Sequence, residues 1–209
     1  MKIIPSIFLI SGKALEKSAA MMDFFHSRYA KAYLLYKKAH FSDDILFVGK
    51  PKLHIGISTH ISIGKQFVCR SGRVTKLDNG AYSTLHLADG ATLSIGDFSG
   101  MTNGIIVCEE KITIGDHVNI GNGTIIMDTD LHSLDWRVRS DRALDHHESL
   151  TRPVTIGNHV FVGARVIILK GVSIGEKSIV AAGSVVTRSI PAGEIWGGNP
   201  ARFIRAIDQ

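Results

Sequence analysis

Between Asp128 and Gly163 the chain reads DTDLHSLDWRVRSDRALDHHESLTRPVTIGNHVFVG. His132 stands near its start. An imidazole, with an ordinary pKa of about 6.5, accepts a proton at neutral pH, so this residue type suits a general base. Such a base needs its second ring nitrogen held. Asp130, two residues away and on the same side of an extended chain, would serve, and so would a backbone carbonyl. The residues that follow carry both signs of charge and an aromatic ring, among them Asp135, Trp136, Arg137, Arg139, Asp145 and Glu148. That composition suits a polar surface facing a ligand, with Trp136 and Arg137 as candidate substrate contacts; a solvated insertion is the bland alternative. His146 and His147 are adjacent, so they point apart in an extended segment and make poor joint metal ligands. They remain candidates for contact with a substrate.

The elements that position these residues follow from a repeat. Stepping by six from Ile156 gives Val162, Ile168, Ile174, Val180 and Val186, all aliphatic. Four residues after each beat come Val160, Val166, Val172, Ser178 and Ser184, and Gly or Ala often follows the beat directly. The same rhythm runs through Ile114, Ile120 and Ile126, and more faintly through Ile95, Met101 and Val107 and through Ile57 and Ile63. A period of six fits neither an amphipathic helix nor a simple alternating strand. It fits short strands joined by tight turns, three to a coil, with stacked coils burying a continuous core. The expected fold class is therefore an all-β solenoid of hexapeptide repeats. From Ile126 the next inward residue is due at position 132, yet the beat resumes only at Ile156. A loop of about 132–155 is thus extruded from one corner, and loops longer than about 12–15 residues in compact domains are usually functional or disordered.

At 209 residues and 44% hydrophobic, the chain can bury a full core as one main domain. We expect a helical cap segment over 1–50 and a β-helix domain over 51–209. In the first, Leu15, Met22, Phe25, Tyr29, Tyr33 and Tyr36 recur at helical steps and mark the face that would cover the solenoid end; a membrane-surface helix or an oligomer contact are the other readings. The run Ile3–Ile10 is too short to span a bilayer, and Pro5 and the following Lys13, Glu16 and Lys17 argue against a signal peptide. Asn79-Gly80 between alternating apolar runs predicts a hairpin. Cys69 and Cys108 are the only cysteines, with no CxxC, which suits a reduced, cytoplasmic protein. A net charge of +5 with dispersed basic residues favours small anions over nucleic acid. His117 and His159 share one repeat position, in IGDHV and IGNHV, which predicts a solvent-facing corner.

The hexads, the loop opening on DTDLHSL, and the ending GSVVTRSIPAGEIWGGNPARFIRAI resemble the left-handed β-helix hexapeptide-repeat acetyltransferases, most of all the polysaccharide and sugar O-acetyltransferases. The resemblance covers roughly Ser94 to Ile207. It implies left-handed coils, a short C-terminal helix, a homotrimer, and acetyl-CoA as cosubstrate lying between neighbouring subunits, with no metal. By the same resemblance His132 matches the catalytic residue, removing the proton of an acceptor hydroxyl, with Asp130 a candidate to orient it. The backbone N–H of Ala164 would stabilise the oxyanion. Phe161, Gly163, Ala182, Gly183, Thr187 and Arg188 would follow the pantetheine arm. Arg202 and Arg205, three apart on one face of the terminal helix, would lie near the CoA phosphates. Asn103 is the candidate for the family's acceptor-binding Asn, and Trp196 either covers CoA or packs the last coil.

The implied activity is transfer of an acetyl group to a sugar hydroxyl of a polysaccharide or glycan precursor. A free sugar, an antibiotic or a serine-like acceptor, or a non-catalytic scaffold, are the alternatives. A metal-dependent hydratase of the γ-carbonic anhydrase kind would need three converging His ligands, and no His-x4-His pair occurs on an uninterrupted coil. Nucleotidyltransferases also carry hexads, but no room for a nucleotide-binding domain precedes Ile55.

Overall fold

The structure, a computed structural model, describes residues 6–72, 82–145 and 148–207. The predicted Asn79-Gly80 hairpin, the His146–His147 pair and the start of the Ile3–Ile10 run lie outside the described residues. Three stacks of short strands form the faces of a prism. The first face stacks His40–Phe41, His60–Ile63, Thr92–Ile95, Lys111–Ile114, Val154–Ile156 and Ser173–Ile174. The second runs from Leu46–Val48 through Val68–Arg70, Gly100–Thr102, Asn119–Ile120, Phe161–Val162 and Ile179–Val180 to Glu194–Gly197 and Arg202–Ala206. The third stacks Lys52–Ile55, Thr84–Leu87, Ile105–Cys108, Ile125–Met127, Ile167–Ile168 and Val185–Val186. The coil strands pair in parallel, and the chain visits the faces in the order first, second, third.

The period of six is the geometry of this prism. Each short strand turns one or two residues inward and then bends at a corner. Ile120, Val162 and Val180 stand in register as one column, Ile126, Ile168 and Val186 as another, and all are buried. Glycine after the beat is a matter of space. A Cβ on Gly163 would lie 2.6 Å from the backbone nitrogen of Ala182 in the next coil. At the corner between the first and second faces, Gln66, Phe98, His117, His159 and Lys177 all take positive φ, between 51° and 60°. His117 and His159 are exposed there, as expected, and their rings stack at 4.7 Å with Phe98 continuing the stack at 4.9 Å.

Val162 has no exposed surface. Val162→Ala is expected to cost roughly 1–3 kcal/mol, because it opens a void in a close-packed column. Val162→Asp is expected to prevent folding, because it buries an unpaired charge. Denaturant unfolding of both variants checks the register; a soluble Asp variant of unchanged stability refutes it.

Several expectations need correction. Ile57 is 68% exposed and Ile55 is the inward residue, because the corner before Ile63 carries extra residues. Val107 is displaced the other way: the corner after Met101, where Asn103 takes φ 45°, is one residue short, and Ile106 and Cys108 point inward instead. The β-helix begins ahead of position 51, since His40–Phe41 and Leu46–Val48 already belong to its faces. The first element is a helix, α1 (Ser6–Tyr36), and it packs against Leu46–Val48, the first strand of the second face. Its buried side is Ser27, Ala30 and Leu34; Met22, Phe25, Tyr29 and Tyr36 face outward. The chain ends in a strand, not a short helix. Arg202–Ala206 pairs antiparallel with Glu194–Gly197, and that pairing overrides the local helical spacing. Among the described residues, no helix is long and apolar enough to cross a membrane.

Candidate active site

The array is interrupted at the corner between the third and first faces, after Met127. The departing and returning chains are tied together. Thr129 bridges Thr151, the Asp130 N–H donates to the Leu150 carbonyl at 3.1 Å, and the Arg152 N–H donates to the Asp128 carbonyl at 2.8 Å. Beneath them, the carboxylate of Asp128 is fully buried and accepts the backbone N–H groups of Glu109, Glu110 and Lys111 at 2.7–2.9 Å. Three donors from a neighbouring turn offset the desolvation of the charge and fix where the loop leaves the coil. Burial, with Asp128 beside it, pushes the Cys108 thiol far above its ordinary value, so Cys108 is an inert core residue.

The loop itself is built from two short helices, α2 (Trp136–Arg139) and α3 (Arg142–Asp145), packed on each other. Asp135 caps α2, its carboxylate accepting the Arg137 N–H at 2.9 Å, and Arg139 donates back to the Ser133 carbonyl at 2.7 Å. These contacts bring Asp145 against His132. Nδ1 of His132 lies 2.6 Å from one carboxylate oxygen of Asp145, and the other oxygen accepts the Ser133 N–H at 2.8 Å. The His132 contact first, then the Ser133 N–H, hold the Asp145 carboxyl below the usual carboxylate range. An ionised carboxylate only accepts, so Nδ1 carries a proton, and in the neutral ring Nε2 is the nitrogen with the lone pair. The His132 side chain is 66% exposed, so that lone pair faces the surroundings.

Because the Asp145 pKa is lowered on folding, its stabilising contribution to the loop is present above the ordinary carboxylate pKa. It is lost only as the pH falls through the lowered value. Limited proteolysis of the loop against pH is expected to show protection persisting into mild acid and Asp145→Asn cleaved at neutral pH.

Asp130, the expected orienting group, is engaged elsewhere. Its two oxygens take the Lys170 ammonium at 2.6 and 2.7 Å, pinning the loop's stem to the third-to-first corner of the following coil. Asn103 is likewise corrected as a substrate contact. It is buried, and its amide clamps the N–H and carbonyl of Gly72 at 2.8 and 3.2 Å. Trp136 is exposed on the loop, with the Arg137 guanidinium over its ring at 5.6 Å and paired to Asp135 at 3.2 Å.

Two hollows flank this corner. Down the third face from the loop runs a groove of about 900 Å³, bounded by Tyr33 of α1, by His54 and His86, by Asp89 and Glu109, and by Ser149 and Thr151 of the loop's returning stem. Across the same face, at its corner with the second, a hollow of about 450 Å³ gathers Asn122, Ala164, Arg165, Ala182 and Gly183. Three of the expected cosubstrate contacts, Ala164, Ala182 and Gly183, therefore share one cleft.

Comparison with known proteins agrees with this architecture. Residues 153–188 match the model of the hexapeptide repeat of succinyl-transferase. Galactoside O-acetyltransferase of Escherichia coli is 35% identical over 125 residues, covering 59% of this chain and 59% of that enzyme. The hexapeptide-repeat containing acetyltransferase VCA0836 of Vibrio cholerae, a solved structure, is 28% identical with a TM-score of 0.55 over 94% of this chain and 93% of its own. The chain is similar to the hexapeptide-repeat acetyltransferases in sequence and in fold. Its fold class is accordingly the left-handed parallel β-helix. The chain spans less than two thirds of the length of the curated relatives it matches. Gamma carbonic anhydrase 1 of Arabidopsis thaliana shares the repeat too, at 35% identity over 43% of this chain and 37% of its own.

The remaining residues singled out from the hexapeptide-repeat pattern are scattered. Phe161 is half exposed on the second face and Gly163 is buried beside it. Thr187 and Arg188 are exposed past the last third-face strand, with the Arg188 guanidinium 5.3 Å over Trp196. Trp196 itself is buried in the last coil and donates to Glu194 at 2.6 Å, so it packs. Arg202 and Arg205 are both exposed on a strand, and the register shift that pairs Arg202 with Gly197 and Arg205 with Ile195 keeps them on one side of it. Asp145 has no signal in the sequence, since nothing in its spacing from His132 singles it out among the loop's carboxylates.

Proposed function

We propose that the protein is an acetyl-CoA-dependent O-acetyltransferase acting on a sugar hydroxyl of a polysaccharide or glycan precursor, with His132 as general base. The observation that carries this reading is the exposed imidazole whose Nδ1 is held by Asp145 at 2.6 Å. In that arrangement Nε2 takes the hydroxyl proton as the oxygen attacks the thioester carbonyl. Asp145 stabilises the imidazolium that forms. The Ala164 N–H donates to the developing oxyanion. Collapse of the tetrahedral intermediate breaks the C–S bond, and the proton on Nε2 passes to the departing CoA thiolate.

A homotrimer belongs to the proposal. Within one chain, His132 and the Ala164 cleft stand at different corners, separated by the width of a face, on the order of 15 Å. A site uniting base and oxyanion donor is most simply made between two copies. Acetyl-CoA as cosubstrate is supported by the Vibrio cholerae relative, which has also been solved complexed with acetyl coenzyme A, with a TM-score of 0.50 to this chain. The sugar acceptor is supported by the galactoside enzyme and by the groove below the loop, where imidazoles, a tyrosine and two carboxylates offer ring stacking and hydroxyl acceptors together. No metal takes part in this reading, its setting is cytoplasmic, and the N-terminal segment makes peripheral contact with a membrane.

Purified protein incubated with acetyl-CoA and candidate glycans is expected to add one acetyl mass to a glycan and release CoA. Release of CoA with no acetylated glycan, or transfer to amines alone, overturns the O-acetyl reading. Arg188, Arg202 and Arg205 are proposed to hold the CoA phosphates. Since the register shift leaves Arg202 and Arg205 on one side of the last strand, each substitution to Ala is expected to weaken CoA binding, by about tenfold or more for a lost charge-assisted hydrogen bond. Calorimetry with CoA and dephospho-CoA checks this, and equal affinities with no effect of any of the three removes them from the site.

A further inference from the structure

The side of α1 turned away from the core is rich in apolar residues, with Arg28 and Ser18 among them. Met21, Phe24, Phe25, Tyr29, Leu35 and Tyr36 are each 55–78% exposed. At the helical repeat they spread over roughly 140° of the circumference. The opposite side is already occupied by the solenoid, where Ala30 and Leu34 are fully buried. Beside the exposed side, a groove of about 450 Å³ opens between α1 and the first coil, lined by Phe24, Ala32, Leu35, Ile45 and Leu46 with Arg28 and Lys31 at its margin.

Two cations lie against the rings of this surface, while Asp43 and Asp44 are exposed next to Ile45 and Leu46 of the groove wall. The Arg28 guanidinium lies 5.6 Å over the Phe24 ring and the Lys50 ammonium 5.6 Å over the Tyr29 ring. The one carboxylate of this stretch of helix, Asp23, turns inward and accepts the Gly49 N–H at 2.8 Å. Aromatic rings with cations laid against them, on a helix too polar to cross a bilayer, are the features of a helix lying in the plane of an anionic membrane surface. A second helix would cover only a narrow seam. An arc this broad calls for a continuous apolar medium.

We infer that α1 docks the protein on an anionic lipid bilayer, its outward face in the acyl–headgroup boundary and Arg28 and Lys50 among the lipid phosphates. This goes beyond the peripheral contact included above by naming the face, the lipid charge and the residues, and it stands whether or not the acetyltransferase reading does. The inward side of the same helix lends Tyr33 to the groove below His132. Docking therefore sets that groove beside the lipid surface.

Co-sedimentation with phosphatidylcholine vesicles, with and without phosphatidylglycerol, tests this. Wild-type protein is expected to sediment with phosphatidylglycerol vesicles at least tenfold more strongly than with phosphatidylcholine alone, and added salt is expected to weaken that binding. A Phe24→Ser, Phe25→Ser, Leu35→Ser variant is expected to lose at least tenfold of the binding. Arg28→Glu is expected to lose only the preference for phosphatidylglycerol. These positions are exposed, and an unchanged melting temperature confirms that the variants fold. Wild-type protein that binds neither vesicle, or a triple variant that binds as well as wild type, overturns the inference. So does a triple variant whose sole change is a smaller assembly by light scattering, which makes the face a contact between copies. Calorimetry with CoA on the same variants is expected to be unchanged, so a failure here is distinct from a failure of the catalytic reading.

Discussion

Replacing His132 by alanine lowers kcat by about 10²–10⁴-fold, the range for losing a general base, and leaves CoA affinity unchanged. The imidazole is not asked to hold the cosubstrate, so calorimetry with CoA separates lost chemistry from lost binding. Asp145→Asn removes the negative charge that stabilises the imidazolium, and a loss of roughly tenfold to a thousandfold in kcat follows, with the acid limb of the pH–rate profile displaced. Asp130→Asn weakens the stem through Lys170 and costs less than either. Purified His132→Ala protein that is folded, binds CoA and acetylates at the wild-type rate sinks the assignment. An Asp130 variant more damaged than the Asp145 variant reverses the order of the two carboxylates.

Asp128→Ala is the most damaging single change expected outside the repeat core. It strips the acceptor from three part-buried backbone N–H groups at once. Each unsatisfied donor costs about 1–3 kcal/mol, so even with partial relaxation the loss is expected to reach roughly 3–5 kcal/mol. Because the same carboxylate fixes the foot of the loop, activity falls further than stability. Denaturant unfolding and kcat measured on one preparation check both parts. A variant as stable as wild type shows that water replaces the carboxylate.

Much of the coil architecture is legible in the order of residues alone. A hexad works only if every sixth residue is buried, so the aliphatic beat from Ile156 to Val186 reports burial directly. The same beat fails where a corner gains or loses residues, as before Ile63 and at Asn103, because sequence spacing counts residues and the core counts strands. The start of the loop is legible as the point where the beat stops. Its interior is not. Asp145 reaches His132 through the packing of two four-residue helices, an arrangement without a period. Arg202 and Arg205 sit at a helical interval, but the strand at Glu194–Gly197 offers hydrogen bonds that a lone turn of helix cannot match. The aromatic residues of α1 carry a core-facing pattern yet point outward, because hydrophobicity alone does not say which apolar surroundings a face meets.

The reversal of the last strand has a consequence for how the molecule stays apart from its own kind. A stack of parallel strands ends in unpaired N–H and carbonyl groups, which template the addition of another chain. Here the first and third faces finish in two-residue strands, Ser173–Ile174 and Val185–Val186, too short to seed much pairing. The second face finishes in the longer Arg202–Ala206, which runs against the grain and carries two exposed arginines. A second solenoid arriving end-on meets the wrong strand direction and like charge there, so the coils stop at one molecule and do not grow into a fibre.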